Sequence, residues 1–162
     1  MRFLTCTAIA IFSFSAATLC LGAQVLKDAT PETVHLGYEL TLTSCKASDC
    51  HTDSVAKGVA DIVLNVQSAD GLSGVQTVQM QADDVNYTAE IKASSGTSSS
   101  AQGRHVDVML TGAKSSGLTF SAHEAANCVA WDTLPLMTLT ADPYTDNGEQ
   151  VTPALHLKVV AQ

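Results

Sequence analysis

The chain has 162 residues, 8 basic against 16 acidic, for a formal charge of −8. With so few cations and no basic cluster, nucleic acid is excluded as an expected partner. The length suits a single domain able to bury a core of its own.

The first residues read as a secretory signal. Arg2 supplies a short positive start, an apolar run follows from Phe3 through Leu21, and Leu21-Gly22-Ala23 ends it with small residues. Ser and Thr dilute the run, and no basic cluster follows it to stop transfer. The expectation is therefore cleavage near Gln24, with no membrane span left afterwards and a secreted or periplasmic location. Residues 1–23 are assigned to the signal and 24–162 to one domain. That domain would hold seven basic residues against 16 acidic, a net charge of −9.

Three cysteines lie beyond the leader: Cys45, Cys50 and Cys128. In an oxidising compartment disulfides persist. The four residues between Cys45 and Cys50 leave a loop that disulfide geometry can close. That pair is the expected structural bond, and Cys128 is left as a free or intermolecular thiol through which the chain could self-associate.

After a leading arm broken by Pro31, Val34, Leu36, Tyr38, Leu40 and Leu42 alternate with His35, Gly37, Glu39, Thr41 and Thr43. Period-two alternation marks a strand with one face on a core and one in water. Residues 45–57 are small and polar, and they read as a loop. Ala60, Ile62, Leu64 and Val66 resume alternation, while Val59 and Val63 on the other parity suggest partial burial of both faces. Val75, Val78, Met80 and Ala82 make a weaker strand. Val85, Tyr87, Ala89, Ile91 and Ala93 make a second very clean one.

The Ser-rich run 94–103 reads as a mobile loop. Val106, Val108 and Leu110 follow as a strand, then Leu118 and Phe120 as a short one. From Ser121 to Asp132 alternation fails, and His123-Glu124-Ala125-Ala126-Asn127 has modest helix character. Leu134, Leu136 and Leu139 resume a β pattern. Asp146-Asn147-Gly148 is a turn signal. Val151, Leu155, Leu157 and Val159 end the chain, with Pro153 placing the start of that strand at an edge. Seven or eight short strands between Gly, Ser and Asp turns predict an all-β fold: an antiparallel β-sandwich or a partly open barrel.

Each chemical motif has a plainer explanation beside it. Cys45-x4-Cys50-His51 resembles a widened haem-attachment motif, but lacks its spacing. No two histidines are one, three or four residues apart, so no local chelating pair exists. A copper set drawn from His35 or His51, Cys128 and Met137 lacks a second imidazole between Cys128 and Met137. Asp142, Asp146, Asn147 and Glu149 do not fit an alternating calcium loop. There is no Gly-x-Ser-x-Gly elbow, and Cys128 with His123 is weak support for a thiol–imidazole pair. Asn86-Tyr87-Thr88 matches a glycosylation acceptor, with Asn86 on the solvent parity. Trp131 reads as a core plug.

With no assembled catalytic, metal or cofactor set, the expected role is a non-enzymatic exported binding module. Its partner would be a protein, a cell-surface polymer or another copy of the chain. Recognition would sit in residues 45–57, 94–103 and 121–133. The alternative is a periplasmic redox or metal-handling protein using Cys45, Cys50 and His51.

Overall fold

The computed structural model describes residues 31–68, 71–96 and 103–160. The leader and most of the Ser-rich run lie outside the described residues. The strands are β1 (Glu32–Lys46), β2 (Asp49–Ser68), β3 (Gly71–Ala82), β4 (Val85–Gly96), β5 (Gly103–Lys114), β6 (Thr119–Cys128), β7 (Met137–Thr140), β8 (Tyr144–Asp146) and β9 (Glu149–Val159). The helical content of the described residues is a 3-10 turn, Trp131–Thr133. No helix among them is long and apolar enough to cross a membrane.

All nine strands pair antiparallel in one sheet, in the order β6-β5-β4-β3-β2-β1-β9-β7, with β8 also on β9. The sheet curls into a half-barrel that brings β6 against β7. Of the expected architectures this is the partly open barrel, and the strand count is nine instead of seven or eight.

Curling follows from the pattern of the strands. Leu36 and Leu40 on β1, Ile62 and Leu64 on β2, Ile91 on β4, Leu110 on β5, and Leu155 and Leu157 on β9 are all fully buried. A sheet with one apolar face must cover it, and bending onto itself does so without a second layer. β2 is where the bend occurs. It pairs with β1 from Asp49 to Leu64, and its ladder with β3 runs through Asn65, Val66 and Ser68 among the described residues. The two halves are joined across the interior by Tyr87 on β4, whose hydroxyl lies 3.1 Å from that of Tyr144 on β8. Phe120 on β6 stacks on Tyr144, with ring centroids 5.4 Å apart.

Several expectations from the sequence are corrected here. Residues 49–57 are strand, not loop, and the connection before them is a tight turn at Ala47-Ser48. The backbone groups of this polar stretch are satisfied by the β1 ladder, which needs no apolar side chains. Residues 123–127 are extended in β6, each in register with a β5 residue. Ladder hydrogen bonding there overrides the weak helix preference of Ala and Glu. Pro153 is not on an edge strand, because β9 lies between β1 and β7/β8. It sits where β8 gives way to β7, so the break in pairing accommodates its missing N–H. Val59 and Val63 are about half exposed on the outer face, not partly buried.

Candidate functional site

Cys45 and Cys50 are bonded to each other. They face each other in register at the end of the β1–β2 hairpin, as the last pair but one before the turn. His51 is 3.6 Å from Asp53 and well exposed. Cys128 is half-buried and unbonded. It adjoins Val129, whose carbonyl accepts from Arg104 at 2.8 Å, and Arg104 in turn lies beside Glu32 at the start of β1. Thirteen residues of strand separate Glu32 from Cys45, about 40 Å at the usual rise. The sulfurs of the hairpin and of Cys128 thus sit at opposite ends of the half-barrel. Burial pushes the Cys128 thiol above its usual pKa, which disfavours the thiolate needed for exchange.

Removing this disulfide should matter little. It closes a loop of about five residues, worth about 2 kcal/mol in the chain-entropy picture. Cys45→Ala/Cys50→Ala protein is expected to stay folded, with a thermal midpoint lower by roughly 5–10 °C. Calorimetry with and without reductant measures this, and unfolding on reduction would contradict it.

The other candidate residues do not converge. Among the described residues no group of three or more His, Cys, Asp or Glu side chains is placed to hold a metal ion. His35 is bonded to Asp61 at 2.6 Å on the outer face of the sheet, and Met137 is buried inside. His123 pairs with Asp107, not with Cys128. Asn86 is exposed on the outer face of β4. Trp131 is half-buried at the edge of the core, not a plug within it. Its Nε1–H donates to Glu32 at 2.8 Å, and the Arg104 guanidinium lies 5.5 Å from its ring centroid. These contacts clamp the start of β1 to the β6–β7 connection.

Two concavities stand out. The first, about 680 Å³, is at the mouth beside the disulfide hairpin and is lined by Asp53, Asp83, Asp84, Asp146, Glu149 and Lys114. Lys114 bridges Asp146 at 2.6 Å and Asp84 at 3.0 Å. Those hydrogen bonds, to Asp146 first, hold its ammonium well above the usual lysine pKa. This end is acidic, and its central cation is already neutralised.

The second, about 620 Å³, lies over the outer face of β1, β2 and β9, with Leu136 beside it. Its size is within the roughly 300–1,000 Å³ of small-molecule sites. Cross-strand register builds it. Gly37 is paired with Val59 on one side and Lys158 on the other, and Glu39 with Lys57 and His156. Gly58 borders it through its backbone, while on the inner face the Tyr38 ring covers this glycine, where a Cβ would lie 2.5 Å from the Tyr38 hydroxyl. Val59 and Leu136 stand as exposed apolar walls, 52% and 66% accessible. His156 is held in place, with Nε2 3.2 Å from the Thr41 hydroxyl and Nδ1 3.1 Å from that of Thr138.

The lysines at this groove differ from most others. Lys92 pairs with Glu90, Arg104 with Glu32, and Lys114 with two aspartates. Lys57 and Lys158 make no ion pair among the described residues, although Glu39 is the cross-strand partner of Lys57. The groove was missed in the sequence because its residues come from strands far apart in the chain. The one visible signal is Val59, an apolar residue on the solvent parity of its strand.

Fold and groove together define an all-β antiparallel protein: one curled sheet, a stapled hairpin and an external concave face. No family model, curated protein or solved structure matches the chain.

Proposed function

We propose that this chain is an exported, non-enzymatic binding module that takes a ligand in the groove over Gly37 and Gly58. The observation that carries this reading is a concave, partly apolar site on a sheet face, flanked by two unpaired ammonium groups. Apolar walls supply affinity and a few fixed polar groups supply orientation, the usual division of labour in binding sites. The scaffold suits the task. The curled sheet closes over its own apolar face, so the groove rests on fully buried residues such as Leu36 and Leu157. Export is supported by the leader and by a hairpin crosslink of the kind that persists outside the reducing cytosol.

The reading is tested by NMR titration of isotopically labelled protein against alkyl anions, alkyl cations, short peptides and oligosaccharides. Saturable shifts of the Gly37, Gly58, Val59 and His156 amides by at least one class are expected. Val59→Asp and Leu136→Asp, both at exposed positions, should abolish them and leave the rest of the spectrum in place. Silence of the groove towards every class would overturn the assignment.

A further inference from the structure

We infer that the groove ligand is an amphipathic anion: an apolar chain or ring system ending in one carboxylate or similar acidic group. This rests on the binding-module reading and narrows it to a chemical class.

The chain as a whole repels anions, with twice as many acidic as basic residues. Against that background the groove is locally reversed. Lys57 and Lys158 flank it and Glu39 is its acidic residue, so its lysines outnumber its carboxylates two to one. Of the six basic residues among those described, three, Lys92, Arg104 and Lys114, are spent on carboxylates. Lys46 lies at the hairpin turn, away from any apolar wall. Only Lys57 and Lys158 combine an unpaired ammonium with an apolar surface beside it.

Their spacing also fits a single anionic head. They stand on β2 and β9, on either side of β1, level with Glu39 and Gly37 respectively, so their backbones are about 12 Å apart. Each has a four-carbon stem that can lie along apolar surface while its ammonium reaches over it. Both can therefore reach over the Val160 side chain, which covers Gly37 so closely that a Cβ there would lie 2.8 Å from its Cγ2. Val59 and Leu136 border the same space and would receive the apolar part. Thr41 and Thr138 already engage both ring nitrogens of His156, so the imidazole acts as a fixed wall and the lysines do the recognising. A cationic head would meet two ammoniums against one carboxylate and would be disfavoured.

The test compares decanoate with decyltrimethylammonium, both below their micellar concentrations, by NMR titration of the labelled protein. The expected result is a saturable shift of the Gly37, Gly58, Val59 and Lys158 amides by decanoate, with the cation at least about fivefold weaker. Lys57→Glu/Lys158→Glu protein should bind decanoate about tenfold more weakly, since an exposed ion contact is worth up to roughly a factor of five and reversal adds repulsion. Both substituted sites are exposed, so an unchanged thermal midpoint confirms that folding is intact. Equal binding of both amphiphiles in the groove would overturn the anionic preference and leave the binding-module reading standing. Decanoate shifts that map to the acidic mouth would also overturn the inference. Silence of the groove towards both, and towards the peptides and oligosaccharides, would remove the inference and the binding reading together.

Discussion

Tyr87→Ala is expected to destabilise the protein by about 3–5 kcal/mol, the range for deleting a large buried aromatic ring. With a total stability of roughly 5–15 kcal/mol for a domain this size, little would remain. Tyr87 is fully buried. Its ring lies 5.7 Å from that of Phe120, and its hydroxyl meets that of Tyr144 inside the half-barrel. Removing it opens a cavity, strands a buried hydroxyl and severs the link between the two halves of the sheet. Thermal melts should show a fall of roughly 10–20 °C.

Tyr87→Phe separates these effects. It keeps the ring and loses the hydroxyl contact, costing about 1–2 kcal/mol. A Phe variant as unstable as the Ala variant would show that the hydroxyl pair, not packing, holds the halves together.

The same residue sets an alkaline limit. Burial, then the hydrogen bond with Tyr144, pushes the Tyr87 phenol far above its ordinary pKa. The Lys114 ammonium is likewise raised by Asp146 and Asp84. In both cases the native state keeps a proton that the unfolded chain begins to lose near pH 10. The unfolded state then binds fewer protons, so stability is full below about pH 10 and falls as pH rises beyond it. Denaturant melts across pH 8–12 measure this decline. Tyr87→Phe should show a shallower fall, because one of the two groups is gone.

Gly112→Val is expected to destabilise by about 1–3 kcal/mol through overpacking. Gly112 and Phe120 are cross-strand partners on β5 and β6. The Phe120 ring lies so close over the glycine that an added Cβ would come within 1.9 Å of its Cζ. An aromatic ring covering a cross-strand glycine fills the space the glycine leaves and helps fix the register. The ring cannot simply swing aside, because its other contacts are Tyr87 and Tyr144.

Phe120→Ala combined with Gly112→Val provides the check. With the obstacle removed, the valine fits, so the double variant should lose less than the sum of the singles. Strict additivity would mean the glycine is needed for its backbone alone. β6 has no buried residue, and Phe120 is its main anchor into the interior. Loss of this pair should therefore release the edge strand first, visible as early hydrogen exchange in residues 119–128.

Much of the scaffold was legible in the chain itself. The alternations at residues 34–42 and 85–93 became β1 and β4, with Leu36, Leu40, Tyr87 and Ile91 buried as their parity requires. Asn147-Gly148 forms a hairpin turn with both residues at positive φ, 49° and 85°, the signature of that dipeptide. The Cys45–Cys50 bond was visible because five residues of separation let two strands of one hairpin present both sulfurs. Polar strands were harder to see. Residues 49–57 and 121–128 lack an apolar face, because they lie at a barrel mouth and on a sheet edge where little can be buried. Their extended form comes from pairing with β1 and β5, and pairing partners are not written locally.

Sequence alone determined the class of the molecule: β-rich, acidic, alternating, and crosslinked at one hairpin. Those properties depend on neighbours within a few residues, where side-chain parity and loop length act directly. Only the tertiary structure decided that one sheet curls on itself, that Tyr87 meets Tyr144, and that Gly37, Lys57 and Lys158 share a groove. Each of these depends on strand order, and strand order is chosen by the whole apolar face seeking cover, not by any single segment.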